Sequence, residues 1–165
     1  MKPPVVSIIG RSGSGKTALL VKIIRRLSRK GYRVGSIKHY RHRFDIDRPG
    51  KDSHRHFQAG AAASMIVSPK KLALVRRLPR PVGLDRIIRD HFPDMDLVIT
   101  EGFKREAAAK IEVVRNAVAK TPVSAPRDRG LLALVVDVPL AGYPQPQFRP
   151  NETAKIVRFI EKEFL

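Results

Sequence analysis

Gly10, Gly15, Lys16 and Thr17 stand in the stretch IIGRSGSGKTALL at the spacing G-x-x-x-x-G-K-[ST]. Each residue type in that pattern has a job around a polyphosphate. Glycines let the backbone take positive φ and come close to a ligand. The loop's N–H groups then converge on an anion, reinforced by the positive end of the following helix. A lysine at this position reaches β- and γ-phosphate oxygens, and the Thr17 hydroxyl is placed to ligate Mg²⁺. The chemistry implied is nucleotide-phosphate binding by Gly10, Ser12, Gly13, Ser14, Gly15, Lys16 and Thr17. A flexible Gly/Ser turn before a basic helix is the blander alternative, and the flanks speak against it. Val5–Ile9, VVSII, reads as a buried parallel strand. Leu19, Leu20, Ile23, Ile24 and Leu27 recur at helical spacing, with Lys22, Arg25, Arg26 and Arg29 on the opposite face.

Two further clusters carry acids. MDLVITEGF (Met95–Phe103) is an apolar strand that ends in Glu101–Gly102. Ligands of doubly wound sheets sit at the carboxyl ends of strands, so Glu101 is a candidate to hold Mg²⁺ or to position an attacking water. KHYRHRFDIDRPGKDSHRH (Lys38–His56) sets Asp45, Asp47 and Asp52 among basic residues. Carboxylates of this kind suit a loop ordered by a γ-phosphate. Its histidines, His39, His42, His54 and His56, lack the spacing of a structural zinc site and read as solvated or phosphate-contacting.

These residues must be positioned by elements. Strand-like runs are Val5–Gly10, Arg33–His39, Ser64–Val67, Leu72–Arg76, Asp96–Thr100, Ile111–Arg115 and Leu131–Asp137. Helix-like runs are Lys16–Lys30, Ser53–Ala61, Leu84–His91 and Glu152–Phe164, the last expected to be capped by Asn151. Strands alternating with helices predict an α/β fold, a three-layer α/β/α P-loop NTPase arrangement with a largely parallel sheet. Ser64–Val67 and Leu72–Arg76 read as a hairpin, which makes the expected sheet partly mixed. Tyr40–Ser53 and Lys120–Gly130 are the long irregular stretches.

The chain has 165 residues, a length that suits a single nucleotide-binding domain over residues 1–165. It has no cysteine, which excludes disulfides, thiolate metal sites and a cysteine nucleophile. No 18-residue apolar run is present, so no membrane span is expected. MKPPVV enters the first strand without a signal peptide's apolar region, and the expected compartment is the cytoplasm. The net charge of +18 favours anionic partners. The basic residues are dispersed and aromatics are few, which argues against nucleic acid as the main partner.

GRSGSGKT, RVGSIKHYRHRFDIDRPGKDSHRHFQAGA, ITEGFK and KIEVVR together resemble the molybdopterin-guanine dinucleotide biosynthesis adaptor family, the MobB proteins. The likeness runs from Val5 to about Arg115 and more weakly through LLALVVD to the last helix. It implies a P-loop GTPase that forms dimers, binds GTP with Mg²⁺, hydrolyses it weakly and assists the guanylyltransferase that attaches GMP to the molybdopterin cofactor. By the same resemblance Asp45, Asp47, Asp52 and Glu101 lie near Mg²⁺ and the γ-phosphate, with Glu101 and Asp52 in the hydrolytic role. Ala18 departs from the family's usual second threonine, and Ala109 from a proline before KIEV. No NKxD segment is present, so guanine is implied by the resemblance alone, with Asp137 the candidate to read it. A P-loop small-molecule kinase, a nickel metallochaperone GTPase and a basic nucleic-acid-binding protein are the rival readings.

Overall fold

The computed structural model describes residues 2–40, 42 and 44–165; Arg41 and Arg43 of the basic segment lie outside the described residues. The chain forms two compact units, one of residues up to His39 together with Gly83–Leu165, the other Tyr40–Val82.

The first unit is built on strands β1 (Val5–Gly10), β2 (Val34–Lys38), β5 (Leu97–Glu101), β6 (Lys110–Val114), β7 (Leu131–Val136) and β8 (Gln147–Phe148). They form one sheet in the order β2-β5-β1-β6-β7-β8, with every neighbouring pair parallel. The central strands are buried on both faces and therefore read as continuous apolar runs rather than alternating ones. Alternate side chains still choose opposite layers. Val6, Ile8, Leu97 and Ile99 face α1 (Lys16–Arg29) and α4 (Thr153–Phe164) through Leu19, Leu20, Ile23, Leu27, Ile156, Val157 and Ile160. Val98 faces Leu84 and Ile88 of α3 (Leu84–His91) on the other side. Burying each such Leu, Ile or Val contributes roughly 1.5–3 kcal/mol. These are the three expected layers, with the helices held to the sheet by the faces the periodicity marks.

Helix α1 stops where the sequence signals it. Gly31 takes φ 95°, its N–H reaches the Ser28 carbonyl at 3.1 Å, and the Tyr32 N–H reaches Leu27 at 3.2 Å. This is a left-handed helix end of the kind glycine favours. The start of α4 corrects the expectation for Asn151. The cap position falls on Glu152, and Asn151 lies outside it. Glu152 Oε2 accepts the Arg149 N–H at 2.8 Å and Oε1 pairs with Lys155, so a longer acidic side chain bracing both sides of the helix start replaces the expected amide.

The second unit holds α2 (Asp52–Gln58) and the antiparallel pair β3 (Ala63–Ser68) and β4 (Lys71–Arg76), joined through Pro69 and Lys70. Parallel and antiparallel pairing are both present, as the sequence implies, but partitioned: the hairpin forms its own two-stranded sheet. Arg77 ties it to α2. Its guanidinium donates to the Phe57 carbonyl at 2.6 Å and lies 4.2 Å over the Phe57 ring. Ser64 Oγ donates to the Ser53 carbonyl at 3.1 Å.

Candidate functional site

At the carboxyl edge of β1 the chain leaves the sheet through Gly10, at φ 140°, and turns through Gly13 and Gly15, at 77° and 88°. The first of these glycines is also a matter of space. A Cβ at Gly10 would lie 2.3 Å from the Val113 carbonyl oxygen of β6. Gly15, in the left-handed region, is the residue from which α1 starts, and no side chain caps that helix. Its first N–H groups are therefore directed at whatever the loop holds. Arg11, Ser12, Gly13, Gly15 and Thr17 are exposed, and Ser14 is buried with a hydroxyl that has no partner among the described residues.

Parallel pairing brings β5 alongside β1, with Ile8 level with Glu101. The consequence is a contact no local pattern contains. Thr17 Oγ1 donates to the Glu101 carboxylate, 3.0 Å from Oε1 and 2.9 Å from Oε2. Glu101 is held in place by its own turn. Gly102 at φ 104° and Phe103 at 54° are both left-handed, a costly conformation for phenylalanine. The ring of Phe103 is buried beside α3 and stacks on His39 at 4.4 Å, which holds the turn closed. The His39 N–H donates to the Glu101 carbonyl at 2.9 Å.

Lysines surround this acid. Lys38 is in register with Glu101 across the β2–β5 pair, and its Nζ lies 3.7 Å from Oε1. Lys16 Nζ donates to the Arg11 carbonyl at 2.6 Å, within the loop. Burial pushes the Lys16 ammonium below its ordinary pKa; Glu101 opposes that, while Lys104 and Lys38 add to it. Ammonium groups of Lys16 and Lys38 near one acid suit a multiply charged anion.

Thr17 and Glu101 offer two hard oxygen ligands. Mg²⁺ is commonly held by one or two protein oxygens, with phosphates and waters completing its shell, so the pair fits a Mg²⁺·phosphate group and the glycine turn fits the phosphate itself. Among the described residues, no group of three or more His, Asp or Glu side chains is placed to hold a metal ion by itself. Asp45, Asp47 and Asp52 belong to the second unit. Asp47 Oδ1 accepts the Arg48 N–H at 2.9 Å, and Asp52 opens α2.

Two residues here were not singled out as site residues by the sequence. Lys38 ends a strand as Glu101 does, and only the register joins them. Glu112 lies inside β6 and is buried; its carboxylate accepts the N–H groups of Val123 and Ser124, the latter at 2.9 Å. It fastens the irregular 120–130 stretch to the sheet. Asp137, just past β7, accepts the Asn116 N–H at 2.9 Å. That bond is the first cause holding its carboxyl below the usual range.

A glycine-rich loop between the central strand of a parallel sheet and the first helix, with an acid at the end of the adjacent strand, defines the P-loop α/β fold. The chain belongs to the MobB family: the family model described as molybdopterin guanine dinucleotide synthesis protein B matches residues 5–137. It is 39% identical over 140 residues to the molybdopterin-guanine dinucleotide biosynthesis adapter protein of Escherichia coli K12, covering 83% of this chain and 80% of that protein. The Haemophilus influenzae adapter protein of the same name is 37% identical over 138 residues, covering 83% and 76%. A crystal structure of molybdopterin-guanine biosynthesis protein B matches at a TM-score of 0.75 and 32% identity, covering 97% of this chain and 99% of that one.

Proposed function

We propose that this chain is an adaptor of molybdopterin guanine dinucleotide biosynthesis that binds Mg²⁺·GTP on Gly10, Ser12, Gly13, Ser14, Gly15, Lys16 and Thr17. The observation that carries the nucleotide reading is the Thr17–Glu101 contact beside the glycine turn. The family and the adapter relatives support the biosynthetic role; they lend nothing to the kinase, nickel-chaperone or nucleic-acid-binding alternatives. Mg²⁺, when bound, would supply positive charge against the negative charge of the phosphates. Thr17 and Glu101 hold that ion, directly or through water, and Lys16 screens the terminal phosphates. Glu101 also positions the attacking water in a slow hydrolysis. Asp45, Asp47 and Asp52 stay candidates for Mg²⁺ and the γ-phosphate by the family resemblance alone, with Asp52 assisting hydrolysis.

The partner in this reading is the guanylyltransferase that loads GMP onto the molybdopterin cofactor, and the compartment is the cytoplasm. No helix among the described residues is long and apolar enough to cross a membrane. A homodimer is supported by the second unit. Met65, Ile66, Val67 and Leu72 are each more than half exposed on a two-stranded sheet. A lone hairpin is marginal in water, and clustered exposed apolar residues mark an interaction surface.

Calorimetric titration with GTP and ATP, each with and without Mg²⁺, tests the reading. The expected result is Mg²⁺-strengthened binding with GTP preferred. Equal affinity for ATP, or no binding, overturns it.

A further inference from the structure

The sheet order places β5 on one side of β1 and β6 on the other. Glu101 and Lys38 mark the β5 side of the phosphate loop. The β6 side carries a cation of its own. β6 ends at Val114, and Arg115 follows in a closed turn whose Arg115 carbonyl accepts the N–H groups of Val118 at 2.8 Å and Ala119 at 2.9 Å. That turn is laid against the loop. A Cβ at Gly13 would sit 4.0 Å from Val118 Cγ2, and a Cβ at Gly15 would sit 4.0 Å from Arg115 Nε. Arg115 is half-buried. Among the described residues no carboxylate lies within ion-pair distance of its guanidinium, and Asp137 feels its charge from farther off. The partnerless Ser14 hydroxyl lines the same small cavity as Arg115. The first turn of α1 offers Ala18 after Thr17, hence a backbone N–H and no hydroxyl at that position.

We propose that Arg115 is a nucleotide-binding residue whose guanidinium grips the phosphate nearest the nucleoside, from the β6 side. Lys16, Thr17 and Glu101 serve the terminal phosphates from the β5 side. The proposal rests on the nucleotide reading above. An arginine fork gives two aligned N–H donors to one phosphate, which supplies the contact that Ala18 cannot. The charge is held in readiness by geometry: the turn closes on the Arg115 carbonyl and leaves the side chain beside Gly15.

Titrations of wild type, Arg115→Ala and Arg115→Lys with Mg²⁺·GTP and Mg²⁺·GDP decide the matter, alongside ligand-free melting curves. Both nucleotides carry the α-phosphate, so Arg115→Ala should weaken both by the same factor, about 10- to 100-fold as expected for a charged hydrogen bond. Arg115→Lys should recover part of the loss, because the charge remains while the fork is gone. The ligand-free melting temperature should stay within a degree or two. Arg115→Ala binding both nucleotides like wild type overturns the assignment. Loss confined to GTP moves Arg115 to the γ-phosphate and equally overturns it. A lowered melting temperature with no recovery by lysine makes the role structural. Wild-type protein that binds neither nucleotide overturns the underlying nucleotide reading as well, and the first titration alone shows it.

Discussion

Thr17 and Glu101 are 84 residues apart in the chain, and the hydroxyl of one donates to both carboxylate oxygens of the other at 2.9 and 3.0 Å. The bond joins the first turn of α1 to the end of β5 and pairs the two oxygen-bearing side chains that would hold a phosphate-bound metal. Glu101→Gln keeps the shape and an accepting oxygen but removes the charge. It should retain GTP binding, raise the Mg²⁺ concentration needed for half-maximal effect about tenfold, and lower the slow turnover. Thr17→Ala should lose Mg²⁺ dependence more than affinity. A Mg²⁺ titration of GTP binding checks both, and an unchanged midpoint in Glu101→Gln would reduce that acid to a structural prop.

Lys16 rests on the Arg11 carbonyl within its own loop. A phosphate that loses this ammonium loses a charged hydrogen bond worth about 1.5–3 kcal/mol. Lys16→Ala should therefore weaken GTP at least tenfold with little change in melting temperature. Calorimetry and a thermal melt on the same sample separate the two effects, and wild-type affinity in this variant would sink the phosphate-loop assignment.

Gly10 and Gly83 make a contrast. A Cβ at Gly10 meets the Val113 carbonyl at 2.3 Å in a backbone at φ 140°, whereas at Gly83 it meets nothing within 4 Å. Gly10→Ala should cost on the order of 3 kcal/mol through strain and displacement of β6. Gly83→Ala should stay within about 1 kcal/mol. Urea unfolding of the pair measures the difference.

Lys110 and Asp128 form an ion pair of 2.7 Å that is largely sheltered, the side chains 10% and 28% exposed. The hydrogen bond from Lys110 is the main cause holding the Asp128 carboxyl below its ordinary value. A depressed carboxyl contributes stability above its unfolded pKa and loses it as pH falls through the folded one. Asp128→Asn should be less stable than wild type at pH 7, and the gap should close on acidification below about pH 4. Melting temperatures across that range give the readout; a gap that is constant with pH would assign the loss to packing instead.

Asp52 opens α2 in the segment whose acids suit ordering by a γ-phosphate. A non-hydrolysable GTP analogue should protect the 40–53 segment from proteolysis in wild type, and Asp52→Asn should blunt that protection. If the analogue leaves wild-type cleavage unchanged, the γ-phosphate does not govern this segment.

Much of the fold was legible because its signals are local. The apolar faces of α1 and α4 are spaced for a helix. Gly31 ends α1 because a left-handed residue is needed there. The hairpin around Pro69 and Lys70 is a neighbour-to-neighbour pairing, and its strands fall within a residue of where the sequence puts them. The cap of α4 was misplaced by one residue, since Asn151 and Glu152 are both able to accept a backbone N–H and only the path of the preceding chain selects between them. The strand-like run Ile111–Arg115 gives no role to Glu112, because its compensation comes from backbone N–H groups at Val123 and Ser124 that no strand pattern reveals.

By itself the sequence determined the glycine-rich loop after β1. Three glycines, a lysine and a threonine at that spacing, between an apolar strand and an amphipathic helix, have their chemistry written in covalent structure and short-range sterics. Only the tertiary structure decided what stands on either side of that loop. The order β2-β5-β1-β6 is not the order of the chain, and strand neighbours are chosen by how the buried faces pack rather than by periodicity within any one strand. That choice sets Glu101 and Lys38 beside Thr17, and Arg115 beside Gly15. Side chains dozens of residues apart thus become neighbours because the strands that carry them end at the same edge of one parallel sheet.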